Sequence, residues 1–235
     1  MNGSRVHALI PAAGQSVRFG GTTLKQYAHL LGTPVISHSM SAVLRHDAVS
    51  SVTVALAEDD GIFDELVRPG FPGVLTCTGG ASRAQTVMNG VNFIAGHHPD
   101  CEWVLVHDAA RPCLSTSDLA RLLDHGLQSA TGAILAVPVN DTLKLADDAG
   151  YIEQTVDRER YWAAQTPQLF RIDPLREHLE VALAAGLSPT DEAQAMERAG
   201  IRPLLVEGST TNIKITGSED LALAEFILQR QSVRE

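Results

Sequence analysis

The chain has 235 residues, 44% of them hydrophobic and 20% charged, a balance that supports one full-sized core and excludes a disordered polypeptide. Its formal charge of −10 opposes broad nucleic-acid binding, which needs a basic face, so any phosphate substrate must be met by a few locally concentrated Lys and Arg residues. No apolar run approaches the roughly 18 residues of a membrane span, and Met1 to Arg5 leads into no signal-like stretch, so a cytoplasmic protein with no membrane partner is expected.

Val6 to Ile10 is a short apolar run stopped by Pro11 and predicts a buried first strand. Thr33-Pro34 reads as a helix cap and first turn, followed by Ile36, Met40, Val43 and Leu44 at helical spacing. Ser51 to Leu56 and Val74 to Cys77 predict two further strands. Behind Ser82, the stripe Val87, Val91 and Ile94 predicts a helix. Trp103 to Val106 is a continuous apolar strand that delivers His107-Asp108 at its carboxyl end. Asp118 to His125 predicts a helix, and Gly132 to Val137 another buried strand.

From Pro138 to Gln165 the pattern turns polar, with β-like flanks at Thr142–Leu145 and Tyr151–Val156 around the turn Asp147-Asp148-Ala149-Gly150. Such a hairpin cannot bury both faces in its own domain, and a second subunit is the natural surface for it. Regular alternation then resumes: Asp173-Pro174 opens a helix and Thr190-Asp191-Glu192 caps the next. Leu204–Val206 and Ile213–Ile215 read as strands, and Thr216 to Glu219 as a capping box before a last helix. The alternation predicts an α/β fold in one domain, 1–235, with residues 138–165 as a dimerisation arm. Cys77, Cys101 and Cys113 are odd in number and lack CxxC spacing, so reduced thiols are expected.

Ligands of open α/β sheets bind beyond the carboxyl ends of the strands. Three such ends carry chemistry here. In Pro11 to Gly20, small residues let backbone amides approach phosphate oxygens, and Arg18 and Lys25 supply cations. A Walker loop needs a Gly-Lys pair that is absent, and the dinucleotide fingerprint lacks its second glycine, which argues against an NAD-dependent dehydrogenase. At the second end, Asp108 is placed to hold Mg²⁺ or to fix the turn through a pair with Arg111. His107 reads as a packing residue. At the third, the Gly79-Gly80 amides open a helix that carries Thr86.

Pro11-Ala12-Ala13-Gly14, Arg18, Lys25-Gln26-Tyr27, His107 to Pro112, Asp141-Thr142, Thr155 to Arg158, Thr166-Pro167-Gln168 and Asn212-Ile213-Lys214 occur in this order. Together the motifs resemble the 2-C-methyl-D-erythritol 4-phosphate cytidylyltransferases of the non-mevalonate isoprenoid pathway, over essentially the whole chain. The resemblance implies a Rossmann-like three-layer nucleotidyltransferase domain with a mostly parallel twisted sheet and a protruding β-arm. It implies a homodimer with arm exchange, with CTP, methylerythritol phosphate and Mg²⁺ as reactants and cofactor. By similarity, Arg18 and Lys25 are catalytic. Ala12, Ala13, Gly14, Gly80, Thr86, Asp108 and Ala109 line the CTP site, Asp108 also supporting the metal. Thr142 and Arg158 from the arm, with Lys214 from the main domain, position the second substrate.

The chain departs from the family pattern at Ser16, Phe19, Leu24, Ala81 and Thr211. Two other readings share some of these features: a ribitol 5-phosphate cytidylyltransferase and a catalytically inactive nucleotide-binding protein. Pro11 to Gly14 and His107 to Pro112 favour the methylerythritol enzyme over the first. The joint presence of Arg18, Lys25, Asp108, Arg158 and Lys214 disfavours the second.

Overall fold

Every residue of Val6 to Ile10 is buried, as a strand covered on both faces requires. In the computed structural model, which describes residues 6–14 and 24–233, this strand β1 (Val6–Pro11) lies inside a seven-stranded sheet. A 3₁₀ turn at Lys25–Tyr27 and the short antiparallel pair β2 (His29–Leu30) and β3 (Thr33–Pro34) lead into α1 (Val35–Leu44). Then come β4 (Val49–Leu56), α2 (Ile62–Leu66), β5 (Leu75–Thr78), α3 (Arg83–His97), β6 (Trp103–Val106), α4 (Thr116–Gly126) and β7 (Ala133–Pro138). The hairpin β8 (Leu143–Ala146) and β9 (Ile152–Val156) precedes β10 (Trp162–Arg171). The chain closes with α5 (Ile172–Ala184), α6 (Glu192–Arg198), β11 (Leu204–Glu207) and α7 (Glu219–Ser232).

The strand order is β11-β7-β10-β6-β1-β4-β5. All neighbours are parallel except β10, which runs antiparallel to both β6 and β7. Alternation along β1 divides the core: Val6, Ala8 and Ile10 join Ile36, Met40 and Val43 of α1 and Leu119, Leu122 and Leu123 of α4. Leu9 faces the other layer, with Val87, Val91 and Ile94 of α3 and Leu175 and Leu179 of α5. The expected mostly parallel α/β architecture, with helices on both faces, is present. From β1 the chain winds outward to β4 and β5, then returns to place β6 on the opposite side of β1. That reversal opens a crevice at the carboxyl ends of β1 and β6.

Three local expectations are corrected. Thr33 does not cap α1: it belongs to β3, and its hydroxyl meets His38 Nε2 at 2.7 Å. Ile213–Ile215 is not a strand, because its backbone joins no ladder; the Ile215 amide donates to the Ala110 carbonyl at 2.8 Å instead. Glu219 forms no capping box. Asp220 Oδ2 accepts from the Thr216 and Gly217 amides at 2.7 and 3.0 Å. The arm is also shorter than residues 138–165, since Trp162 to Ala164 pair with β7 and lie in the main sheet. No helix among the described residues is long and apolar enough to cross a membrane.

Candidate functional site

A cavity of about 750 Å³ opens over the carboxyl ends of β1, β4, β5 and β6. Ala12, Ala13, Gly14, Lys25, Gly80, Thr86, Asp108, Ala109 and Lys214 all line it, so nine of the residues singled out in the sequence meet in one place. Arg18 lies outside the described residues, as do Ser16 and Phe19. Thr142 and Arg158 are exposed on the arm and do not line this cavity.

The small residues are there because two loops nearly touch. A Cβ on Gly79 would fall 2.5 Å from the Ala13 Cβ, so the loop after β5 can close on the loop after β1 only with glycine at this position. The Thr86 hydroxyl secures that loop: it accepts from the Gly80 amide at 3.0 Å and donates to the Ser82 carbonyl at 2.9 Å. Ser82 caps α3 by accepting from the Gln85 amide. On the other wall, the buried Gln26 donates to the Ala12 carbonyl at 3.1 Å and ties the Lys25 turn to β1. Leu24 is no defect. Its φ of −65° is the one proline prefers, and its side chain packs on the core.

Asp108 anchors the floor. Its carboxylate meets Lys214 Nζ at 2.8 Å, Arg83 Nη2 at 3.2 Å and Arg111 Nε at 3.6 Å. Burial alone would raise the Asp108 pKa. The charges of Arg83, Lys214 and Arg111, with the Lys214 hydrogen bond, reverse that and hold it far below the carboxylate range. Arg111 also donates to the Asn212 carbonyl at 2.7 Å, which draws the 212–215 segment onto the loop and carries Lys214 to Asp108. The turn-fixing role for Arg111 is therefore present. Asp108 still faces the cavity.

His107 is fully buried and burial lowers its pKa to about 4, so it is neutral. Its Nε2 meets the Arg111 carbonyl at 3.0 Å, an atom that only accepts, which fixes the proton on Nε2. Nδ1 must then accept from the Thr166 hydroxyl at 3.1 Å, and that hydroxyl in turn accepts from the Asp108 amide at 2.9 Å. Both ring nitrogens of His107 and the Thr166 hydroxyl between it and the Asp108 amide are thereby satisfied. His107 is a packing residue, as expected.

Sequence reasoning gave two residues of the site no functional role. Arg83 lines the cavity and bridges Asp108 to Glu192, with Nη1 2.6 Å from Glu192 Oε1. Glu192 is 1% exposed and lies 109 positions away in the chain, a separation no local pattern reveals. Among the described residues there is no group of three or more His, Cys, Asp or Glu arranged to hold a metal by itself.

The arrangement suits a polyphosphate: one lysine and two arginines around the Asp108 carboxylate, with Lys25 and glycine-rich backbone lining the same cavity. Comparison with known proteins agrees. The family model for 2-C-methyl-D-erythritol 4-phosphate cytidylyltransferase matches residues 6–230. A relative of that name from Xanthomonas campestris pv. campestris is 49% identical over 228 residues, covering 97% of this chain and 86% of its own length. Another, from Vibrio parahaemolyticus, is 46% identical and covers 95% of each chain. A crystal structure of 4-diphosphocytidyl-2C-methyl-D-erythritol synthase superposes with a TM-score of 0.83 at 40% identity, covering 96% of this chain and 98% of the other. Cavity, fold and kinship converge, and the chain belongs to the 2-C-methyl-D-erythritol 4-phosphate cytidylyltransferase family.

Proposed function

We infer that the chain transfers the cytidylyl group of CTP to 2-C-methyl-D-erythritol 4-phosphate in isoprenoid precursor biosynthesis. The products are 4-diphosphocytidyl-2-C-methyl-D-erythritol and pyrophosphate. The observation that carries this reading is the cavity, which gathers Lys25, Arg83, Asp108 and Lys214 beside the Gly79-Gly80 backbone in a chain whose family match spans residues 6–230.

An oxygen of the methylerythritol phosphate attacks the α-phosphorus of CTP. The new O–P bond forms as the bond to the β-phosphate oxygen breaks, and the electron pair leaves with pyrophosphate. The nucleophile is already an anion near neutral pH, so no general base is required, which agrees with a neutral, fully bonded His107. Catalysis then rests on alignment and charge neutralisation. Lys25 and Arg18 meet the charge that builds on the α-phosphorus and the leaving pyrophosphate. Ala12, Ala13, Gly14, Gly80, Thr86 and Ala109 frame the nucleotide. Lys214 meets the phosphate of the second substrate.

Mg²⁺ fits the donor set. A carboxylate offers about four acceptor positions. On Asp108, Arg83 takes both positions of Oδ1 through Nε and Nη2 and Lys214 takes one of Oδ2, which leaves one Oδ2 position, beside Arg111. A hard cation of this size takes one or two carboxylates and completes its shell with substrate phosphates and water. Asp108 would hold Mg²⁺ there, and the ion would supply Lewis-acid neutralisation of the triphosphate.

The same reading makes the protein a cytoplasmic homodimer in which each arm carries Thr142 and Arg158 to the partner's site. The support is the arm itself, whose Leu145, Tyr151, Ile152 and Tyr161 are 44%, 74%, 65% and 50% exposed. The deciding assay supplies Mg²⁺ and compares methylerythritol phosphate with ribitol 5-phosphate, and CTP with ATP, GTP and UTP. Pyrophosphate release is expected fastest with CTP and methylerythritol phosphate. Faster turnover of ribitol 5-phosphate would overturn the substrate assignment.

A further inference from the structure

Two motifs that do not line the cavity, Pro167-Gln168 and Thr190-Asp191-Glu192, meet behind it. Gln168 of β10 is 1% exposed. Its amide nitrogen donates to Asp191 Oδ2 at 2.9 Å, and its carbonyl accepts from the Ala193 amide at 2.9 Å. The two residues flanking Glu192 are thereby fixed to the central sheet, and Asp191 also caps α6 through the Gln194 amide at 2.9 Å. Glu192 then presents both oxygens to Arg83, with Oε1 2.6 Å from Nη1 and Oε2 3.2 Å from Nη2. The remaining edge of the guanidinium, Nε and Nη2, lies 3.3 and 3.2 Å from Asp108 Oδ1. A planar fork held at one side by a buried carboxylate has little freedom at the other.

We propose that Glu192 is a positioning residue for cytidylyl transfer: from outside the cavity it holds Arg83 against Asp108, and so fixes the loop after β5 relative to the loop after β6. Arg83 is the first residue of α3, directly behind the Gly79-Gly80 backbone, and Asp108 follows β6. One guanidinium therefore sets the spacing between the two walls that receive the nucleotide and its phosphates. Glu192 also sets the charge. Counting Arg83, Arg111 and Lys214 against Asp108 and Glu192, the floor carries three positive and two negative charges, a net of +1. Without the Glu192 contact Arg83 keeps only its Asp108 edge and loses the bonds that fix its orientation. Such a change keeps CTP bound while misaligning it. The signature is a loss in kcat with the KM for CTP held.

The test is a cycle of Glu192→Gln, Arg83→Gln and the double variant, in the full-length enzyme, with thermal midpoints measured alongside. Glu192→Gln is expected to lower kcat about 10- to 100-fold, the range for residues that orient a group in direct contact with substrate, with the KM for CTP within about twofold. Because Glu192 acts through Arg83, the double variant is expected to match Arg83→Gln within about twofold. Losses that multiply in the double variant would overturn the proposal, as would wild-type kcat in Glu192→Gln. So would a kcat deficit accounted for by the fraction of unfolded protein. Should Glu192→Gln fail to fold, Arg83→Lys decides. A point charge cannot span both carboxylates, so kcat is expected to fall at least about tenfold in folded protein, and wild-type kcat there would refute the clamp.

Discussion

The cavity floor and the β8–β9 arm are built on opposite principles. On the cavity floor one side chain holds the next: Lys214 is held by Asp108, Asp108 by Arg83 and Arg111, and Arg83 by the buried Glu192. On the arm nearly every residue is exposed, and Leu145 and Ile152 show apolar side chains to solvent. A network of charges paired on the buried carboxylates Asp108 and Glu192 is costly to rearrange, so it preorganises a site for charge that develops during reaction. An exposed two-stranded ribbon has little stability of its own and acquires a fixed geometry only by packing on something.

The largest break in this contrast comes from Lys25→Ala. If Lys25 serves the transition state, kcat is expected to fall about 100-fold or more, with CTP affinity nearly unchanged. Steady-state kinetics beside equilibrium CTP binding checks this, and a loss confined to affinity would make Lys25 a binding group only. Next is complementation between the two regions. Arg158→Ala alone is expected to raise the KM for methylerythritol phosphate about tenfold or more, the cost of one charge-assisted contact. Mixed with Lys25→Ala subunits, it should recover activity. In a confirmed heterodimer with exchanged arms, one of two sites is intact, so about half the wild-type activity per dimer is expected from the symmetry. No recovery would show that each arm serves its own chain.

The two regions also differ in how far the sequence revealed them. β6 and Asp108 were legible because four apolar residues stop abruptly at a polar pair. The arm was legible because its alternation left no face to bury, although its end was misplaced: Trp162 pairs with Pro138 in the main sheet. Ile213–Ile215 alternates as a strand does, yet alternation does not supply a ladder partner, and Ala110 takes its hydrogen bond. The Glu192–Arg83 clamp was illegible. Each residue sits at a helix start, where Arg and Glu are unremarkable, and only the fold brings them to 2.6 Å.

Acid provides a third, smaller test, because the floor and the sheet hide neutral histidines that the arm lacks. Burial, assisted by the charge of His98, lowers the His7 pKa from 6.5 to about 4, and burial lowers that of His107 likewise. Above pH 6.5 neither state of the protein binds these protons. Between pH 6.5 and 4 the unfolded chain binds them and the folded chain does not, so stability falls as pH falls through that window. Glu192, pushed upward by burial and only partly restored by Arg83, acts in the opposite sense near the carboxylate range. Urea denaturation at pH 7 and pH 5 is expected to show a loss of about 2 kcal/mol for each histidine, about 4 kcal/mol for the pair, at roughly 1.4 kcal/mol per pKa unit reduced by incomplete titration. His7→Asn should lose less over the same interval. An equal loss in both proteins would remove His7 from the account.

The smallest effect is the sharpest test of what covers the arm. Ile152→Ala removes side-chain carbons that are already 65% exposed, so in a lone chain the expected cost is within about 0.5 kcal/mol. The comparison is Ile10→Ala on β1, fully buried, where about 2–5 kcal/mol is expected. If the arm packs on a second copy, the Ile152→Ala cost appears only where dimers form. Thermal midpoints of variant and wild type should then coincide at dilute protein and separate as concentration rises, since assembly stabilises the folded state by mass action. Coincidence at every concentration, with sedimentation showing dimers in both, would mean that Ile152 lies outside the interface and that the arm reaches its partner by another face.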